Sequence, residues 1–111
     1  MFYRRKFYIV KSDFLDRFNQ LFIEINLPNQ MKYGSKLVGR FMKDNNNGTW
    51  EVFAIWEYLS EEDYQKIESL IRSDKSHIEQ IKKWYDENGG KEYIFREKIL
   101  EVRNEKIIST I

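Results

Sequence analysis

The sequence has no cysteine, which excludes disulfides, thiol nucleophiles, zinc-thiolate sites and iron-sulfur clusters. That composition fits a reducing compartment. No stretch approaches the roughly 20 apolar residues of a membrane span, and the N-terminus lacks the apolar core of about 7–15 residues found in signal peptides. A cytoplasmic protein without a membrane partner is expected. An excess of one charge is missing as well: 19 Lys and Arg face 18 Asp and Glu, a formal +1, and the signs are interspersed. Nucleic acid is therefore not an expected partner. The densest basic cluster, Arg4, Arg5 and Lys6, lies inside an aromatic segment whose alternation sends Arg5 to one face and its neighbours to the other.

Catalytic signatures are equally scarce. The G-x-S-x-G, P-loop, Rossmann and H-E-x-x-H patterns do not occur. With one histidine and scattered carboxylates, no metal site is expected. His77 is that one histidine, and so the one side chain with an ordinary pKa near neutrality and the one candidate haem ligand of the usual kind.

What the chain does have is apolar and aromatic mass, 41% hydrophobic and 16% aromatic over 111 residues, enough for one domain spanning 1–111 with a real core. "FYRRKFYIV" at 2–10 reads as a strand, followed by a helix capped by Ser12 or Asp13. Phe14, Leu15, Phe18, Leu21, Phe22 and Ile25 form its apolar stripe, and the helix is expected to stop before Pro28. "SKLVGRFMK" at 35–43 and "GTWEVFAIWEY" at 48–58 form a hairpin around "DNNNG", with undetermined register. Ser60 caps a helix bearing Tyr64, Ile67, Leu70 and Ile71, and Ser73 or Asp74 caps another with Ile78, Ile81, Trp84 and Tyr85 inside. Gly89 and Gly90 end it, and 91–103 reads as a last strand bent near Glu97.

The order β, α, β, β, α in two pieces, β predicts an α+β fold: a ferredoxin-like split βαβ unit with a four-stranded antiparallel sheet and helices on one face. In the third strand Trp50, Val52, Ala54, Trp56 and Tyr58 share one face, while Phe53 and Ile55 sit between Glu51 and Glu57 on the other. Both faces call for cover. A second copy of the sheet, packed face to face as a homodimer, would supply it.

The stretches "YRRKFY" at 3–8, "GSKLVGRF" at 34–41, "IWEY" at 55–58 and "RSDKSHIEQ" at 72–80, in that order and spacing, resemble the NIPSNAP family of the dimeric α+β barrel superfamily. The resemblance covers most of the first 90 residues and fades after Gly90. It implies a homodimer with a pocket between sheet and helices or at the dimer seam. Relatives sharing that fold include haem-degrading and cofactor-independent quinol-type monooxygenases. The haem-degrading ones use an asparagine on the first strand, and this chain has none there.

Candidate binding residues are Tyr3, Tyr8, Trp56 and Tyr58, whose rings suit a small hydrophobic or aromatic ligand, with core and dimer interface as the competing role. Arg40 joins them because a charge at the centre of an apolar strand must meet a counter-ion, such as Glu51 or Glu57, or else face a ligand or solvent. Gly39 beside it either relieves crowding against a helix or leaves room for a ligand. The leading functional expectation is a homodimeric small-molecule binding or interaction module without a cofactor. The alternative is a monooxygenase-like enzyme acting on a hydrophobic or aromatic substrate, with haem held by His77, or without cofactor and with His77 as general base.

Overall fold

The computed structural model describes residues 1–111. Its elements run β1 (Phe2–Lys11), a 3-10 turn (Ser12–Phe14), α1 (Leu15–Leu21), a π-helical segment (Phe22–Asn26), α2 (Leu27–Lys32), β2 (Lys36–Asp44), β3 (Thr49–Tyr58), α3 (Glu61–Arg72), α4 (Lys75–Glu87), α5 (Lys91–Glu97) and β4 (Ile99–Ile107). The strands form one sheet in the order β2-β3-β1-β4, every neighbouring pair antiparallel. This is the α+β ferredoxin-like arrangement expected from the sequence. A thickness of 19 Å beside extents of 36 and 35 Å corresponds to one sheet and one helical layer, about 10 Å each. No helix is long and apolar enough to cross a membrane.

Alternation decides which side each strand residue serves. On the helix-covered face Phe2, Arg4, Lys6, Tyr8 and Val10 of β1 stand opposite Tyr58, Trp56, Ala54, Val52 and Trp50 of β3. Two buried clusters form there. Val10, Val52, Ile94 and Ile99 gather with Phe14, Leu15 and Phe18 at one end, and Phe2, Ala54, Trp56 and Tyr58 gather at the other. Full burial of each large side chain contributes roughly 1.5–3 kcal/mol relative to exposure.

The local signals place most boundaries. The Ser60 side chain accepts a hydrogen bond from the Asp63 amide at 3.1 Å, and Asp74 accepts one from the His77 amide at 3.1 Å, so each caps its helix. Asn46 and Gly48 adopt positive φ (58° and 85°) in the hairpin loop, and Gly89 and Gly90 (105° and 91°) turn the chain out of α4.

Three expectations are corrected. The first helix does not stop before Pro28. It widens into a π-helical segment, in which the Leu27 amide reaches back to the Phe22 carbonyl, and resumes as α2 with Pro28 in its first turn. The wider turn accommodates the proline ring, and a first-turn position makes its missing N–H harmless. The segment 91–97 is helix α5 rather than strand: Ile94 alone is fully buried, and its amide bonds the Gly90 carbonyl at 3.0 Å. Neither Ser12 nor Asp13 caps the first helix, because the chain enters through the 3-10 turn, whose N-terminal flank, Lys11, makes no side-chain cap.

Candidate functional site

The site begins with a register irregularity in β2. Leu37 pairs with Trp56, but Gly39, not Val38, pairs with Ile55, so Val38 is an extra residue in the ladder. An extra residue reverses the alternation, and Leu37 and Arg40 therefore both face the helices. Bulges serve this purpose beside functional sites, where they re-aim a side chain. Arg40 then stands opposite Ala54, Ala54 opposite Lys6, and Lys6 opposite Asn104, a polar row running from edge to edge across the buried face. It lies between the two apolar clusters, with Phe18 and Val52 on one side and Trp56 and Tyr58 on the other.

Helices α1 and α2 roof this row. Phe18, Phe22, Asn26 and Gln30 recur every fourth residue across α1, the π-helical segment and α2 and so share one stripe. Together with Lys6, Tyr8, Arg40 and Trp56 they line a cavity of about 210 Å³. The small Ala54 at the centre of the row leaves the space.

Lys6 and Arg40 differ in how they are balanced. Lys6 Nζ lies 3.4 Å from Glu68 Oε1, and neither side chain is more than 19% exposed. Arg40 has no carboxylate partner. Its Nη1 donates to Asn19 Oδ1 at 2.7 Å, its guanidinium carbon lies 4.4 Å from the centre of the Phe22 ring and 5.6 Å from that of Phe18, and its Nη2 is buried without a protein partner. Burial brings its pKa down to about 10, opposed by nearby Tyr8, so the group stays charged at neutral pH. The Tyr8 hydroxyl is pushed up chiefly by burial. Glu51 and Glu57, the partners considered from the sequence, belong to the opposite face, where they pair with Lys43 and Lys36. Gly39 also lies on that opposite face: a Cβ there would meet the Phe41 ring at 2.7 Å, so the glycine lets that ring lie across the strand.

The structure brings Tyr8, Arg40 and Trp56 together at the cavity. Tyr58 shares their face, two residues along the strand from Trp56. Its buried hydroxyl has no hydrogen-bond partner, burial pushes its pKa up to about 12, and the neighbouring Ser35 opposes the shift without making a bond of good geometry. Tyr3 sits on the opposite face and donates to Glu57 Oε2 at 3.2 Å.

His77 is separate again. It opens α4 and lines an open groove of about 540 Å³ with Ile71, Ile78, Ile81 and Tyr85. Its Nδ1 is buried without a partner, and burial lowers its pKa against the opposing pull of Asp74. A second open hollow, of about 520 Å³ between α1 and α4, is lined mostly by polar chains such as Arg17, Glu24, Lys83 and Glu87. No three His, Asp or Glu side chains come close enough together to hold a metal ion.

As site residues, Asn19, Asn26 and Gln30 were not singled out from the sequence, and Phe18 and Phe22 were read only as core of the first helix. The signal was available for two of them, since Asn26 and Gln30 are polar residues continuing an apolar stripe at four-residue spacing. Gln30 is buried, accepting a hydrogen bond from the Ser35 hydroxyl at 2.6 Å.

No family model matches the sequence, and no curated protein matches it. Solved structures do match. A NIPSNAP family protein from Agrobacterium tumefaciens superposes with a TM-score of 0.74 at 16% identity, covering 98% of this chain and 92% of that one. An uncharacterised NIPSNAP-like domain protein from Burkholderia xenovorans gives 0.72 at 16% identity, over 98% of this chain and 84% of the other. A dimeric ferredoxin-like protein from an uncultured marine organism gives 0.54 at 16% identity, over 99% and 90%. The chain shares the α+β ferredoxin-like fold of these NIPSNAP structures over nearly its full length.

Proposed function

We propose that the protein is a homodimeric small-molecule binding module, with its ligand site in the cavity between the sheet and helices α1 and α2. The observation that carries this reading is the Arg40 guanidinium: a bulge aims it into a cavity between two apolar clusters, and no carboxylate there balances it. A structural charge on a buried face is ordinarily paired, as Lys6 is with Glu68. A binding residue need not be.

The homodimer is supported by the uncovered face. Phe7, Phe41 and Phe53 form its aromatic centre, with the Phe41 and Phe53 ring centres 5.5 Å apart. Around them stand Arg5, Lys11, Lys36, Lys43 and Arg103 against Glu51, Glu57, Glu101 and Glu105, five cations and four carboxylates of nearly balanced charge. An apolar centre with a nearly balanced charged rim suits a two-fold contact with an identical face. One of the matched structures is a dimeric ferredoxin-like protein.

The enzyme alternative draws less support. His77 lies outside the residues that line the cavity, so it reaches no ligand held there as general base. The cavity lining does not fit a haem: it holds no histidine, and its one phenol, Tyr8, is held protonated by burial. A thermal-shift screen of small aromatic acids, alcohols and amides tests the binding reading. Ligands that raise the melting temperature of the wild type should lose that effect in Ala54→Val, which fills the cavity floor. A full effect in the variant would place the site elsewhere.

A further inference from the structure

The ligand's chemistry can be narrowed beyond the binding reading on which it rests. We infer that the cavity takes a small monocarboxylate with one apolar ring or chain, its carboxylate on Arg40 and its apolar part against Phe18 and Phe22.

Charge is the first argument. Of the two cations in the polar row, Lys6 is neutralised by Glu68 at 3.4 Å, whereas Arg40 is bound only to the neutral Asn19 amide and two aromatic rings. The lining therefore carries one uncompensated positive charge, the complement of a single anion. Donor geometry is the second. Arg40 Nη1 is committed to Asn19 and Nη2 is buried without a protein partner, so the guanidinium keeps donor capacity for a carboxylate beyond the bond that fixes the side chain. Tyr8, whose phenol is kept protonated by burial, lines the same cavity.

Size is the third. About 210 Å³ equals the volume share of about seven waters at ~30 Å³ each, and falls below the roughly 300–1,000 Å³ of drug-sized ligand sites. A single ring with one acid group fits, a nucleotide or a polyketide-sized polycycle does not, and a diphosphate carries more charge than the one uncompensated cation balances. The apolar wall follows from Phe18, Phe22, Val52 and Trp56.

Calorimetric titration of the full chain at neutral pH, with benzoate and its uncharged isostere benzamide as probes, tests the inference. A hydrogen bond to a charged group is worth about 1.5–3 kcal/mol, so benzoate should bind about 10- to 100-fold more tightly than benzamide. Arg40→Met should erase that preference, and Arg40→Lys, which keeps the charge but loses the planar fork, should retain part of it. The Lys variant also serves if the Met variant fails to fold. Equal binding of the two probes to the wild type, with both blocked by Ala54→Val, would overturn the carboxylate assignment and leave the binding reading standing. Binding of neither probe at millimolar concentration overturns both. Benzoate binding that survives both Arg40 variants unchanged overturns the role given to Arg40.

Discussion

On the helix-covered face of the sheet, Val10, Val52 and Trp56 are sealed by helices, and polar chains, chiefly the row of Arg40, Lys6 and Asn104 with Arg4 beside it, interrupt the apolar surface. On the other face the relation is inverted. Phe41 is 52% exposed, and Phe7, only 1% exposed, is closed over by guanidinium groups: Arg5 lies 4.7 Å and Arg103 4.2 Å from its ring centre. One face is a core with a polar inclusion, and the other is a polar surface with an aromatic centre. The first arrangement suits a small molecule and the second a flat macromolecular contact, because a cavity needs walls while a sheet face needs area.

The comparison breaks most severely at Trp56, which belongs to the first face alone and is 1% exposed. Trp56→Ala should cost about 3–5 kcal/mol of stability, read as a collapse of the denaturation midpoint. An equally large loss from Phe41→Ala would mean that the two faces do not divide labour as described. Phe41→Glu sharpens the contrast from the other side. It should leave the far-UV circular dichroism of the protomer intact and convert the proposed dimer to a monomer in sedimentation velocity, since it places a charge at the centre of an apolar contact.

A smaller effect is expected where α2 meets α4, away from both faces. Asp74 accepts from the Tyr33 hydroxyl at 2.7 Å, from the His77 amide and from Lys32, and these bonds, led by Tyr33, hold its carboxyl at about 2 instead of the ordinary 3.8. A depressed folded-state pKa contributes stability that is fully present above the unfolded value and is lost as pH falls from about 3.8 through 2. Asp74→Asn keeps a cap acceptor and should flatten the acid limb of the melting-temperature profile in that window. The smallest shift belongs to Arg40→Met. Removing an uncompensated buried charge should leave the ligand-free melting temperature unchanged or slightly higher, a stability effect opposite in sign to its effect on binding.

Much of the division between faces was legible in β3, where Val52, Ala54, Trp56 and Tyr58 alternate with Phe53 and Ile55 without interruption. The caps at Ser60 and Asp74 were legible for the same reason: each is a local hydrogen bond written into four residues. Residues 91–97 were not, because Tyr93 and Phe95 flanking Ile94 read as a strand over so short a stretch, and only tertiary burial of Ile94 on one side selects a helix. Arg40 was legible as an anomaly and not as a site. Its facing depends on the extra residue at Val38, and "LVGRF" contains no turn chemistry that announces a bulge beyond Gly39 itself. Its partner Asn19 sits on another element altogether, and no spacing rule connects them.

Native mass spectrometry of the full chain with benzoate or benzamide present most directly tests the claim that one face of the sheet holds a small acid and the other a second copy. The expected result is a dimer carrying up to two benzoates and discriminating against benzamide. A monomer at micromolar concentration, or a dimer that takes up the amide as readily as the acid, would contradict it.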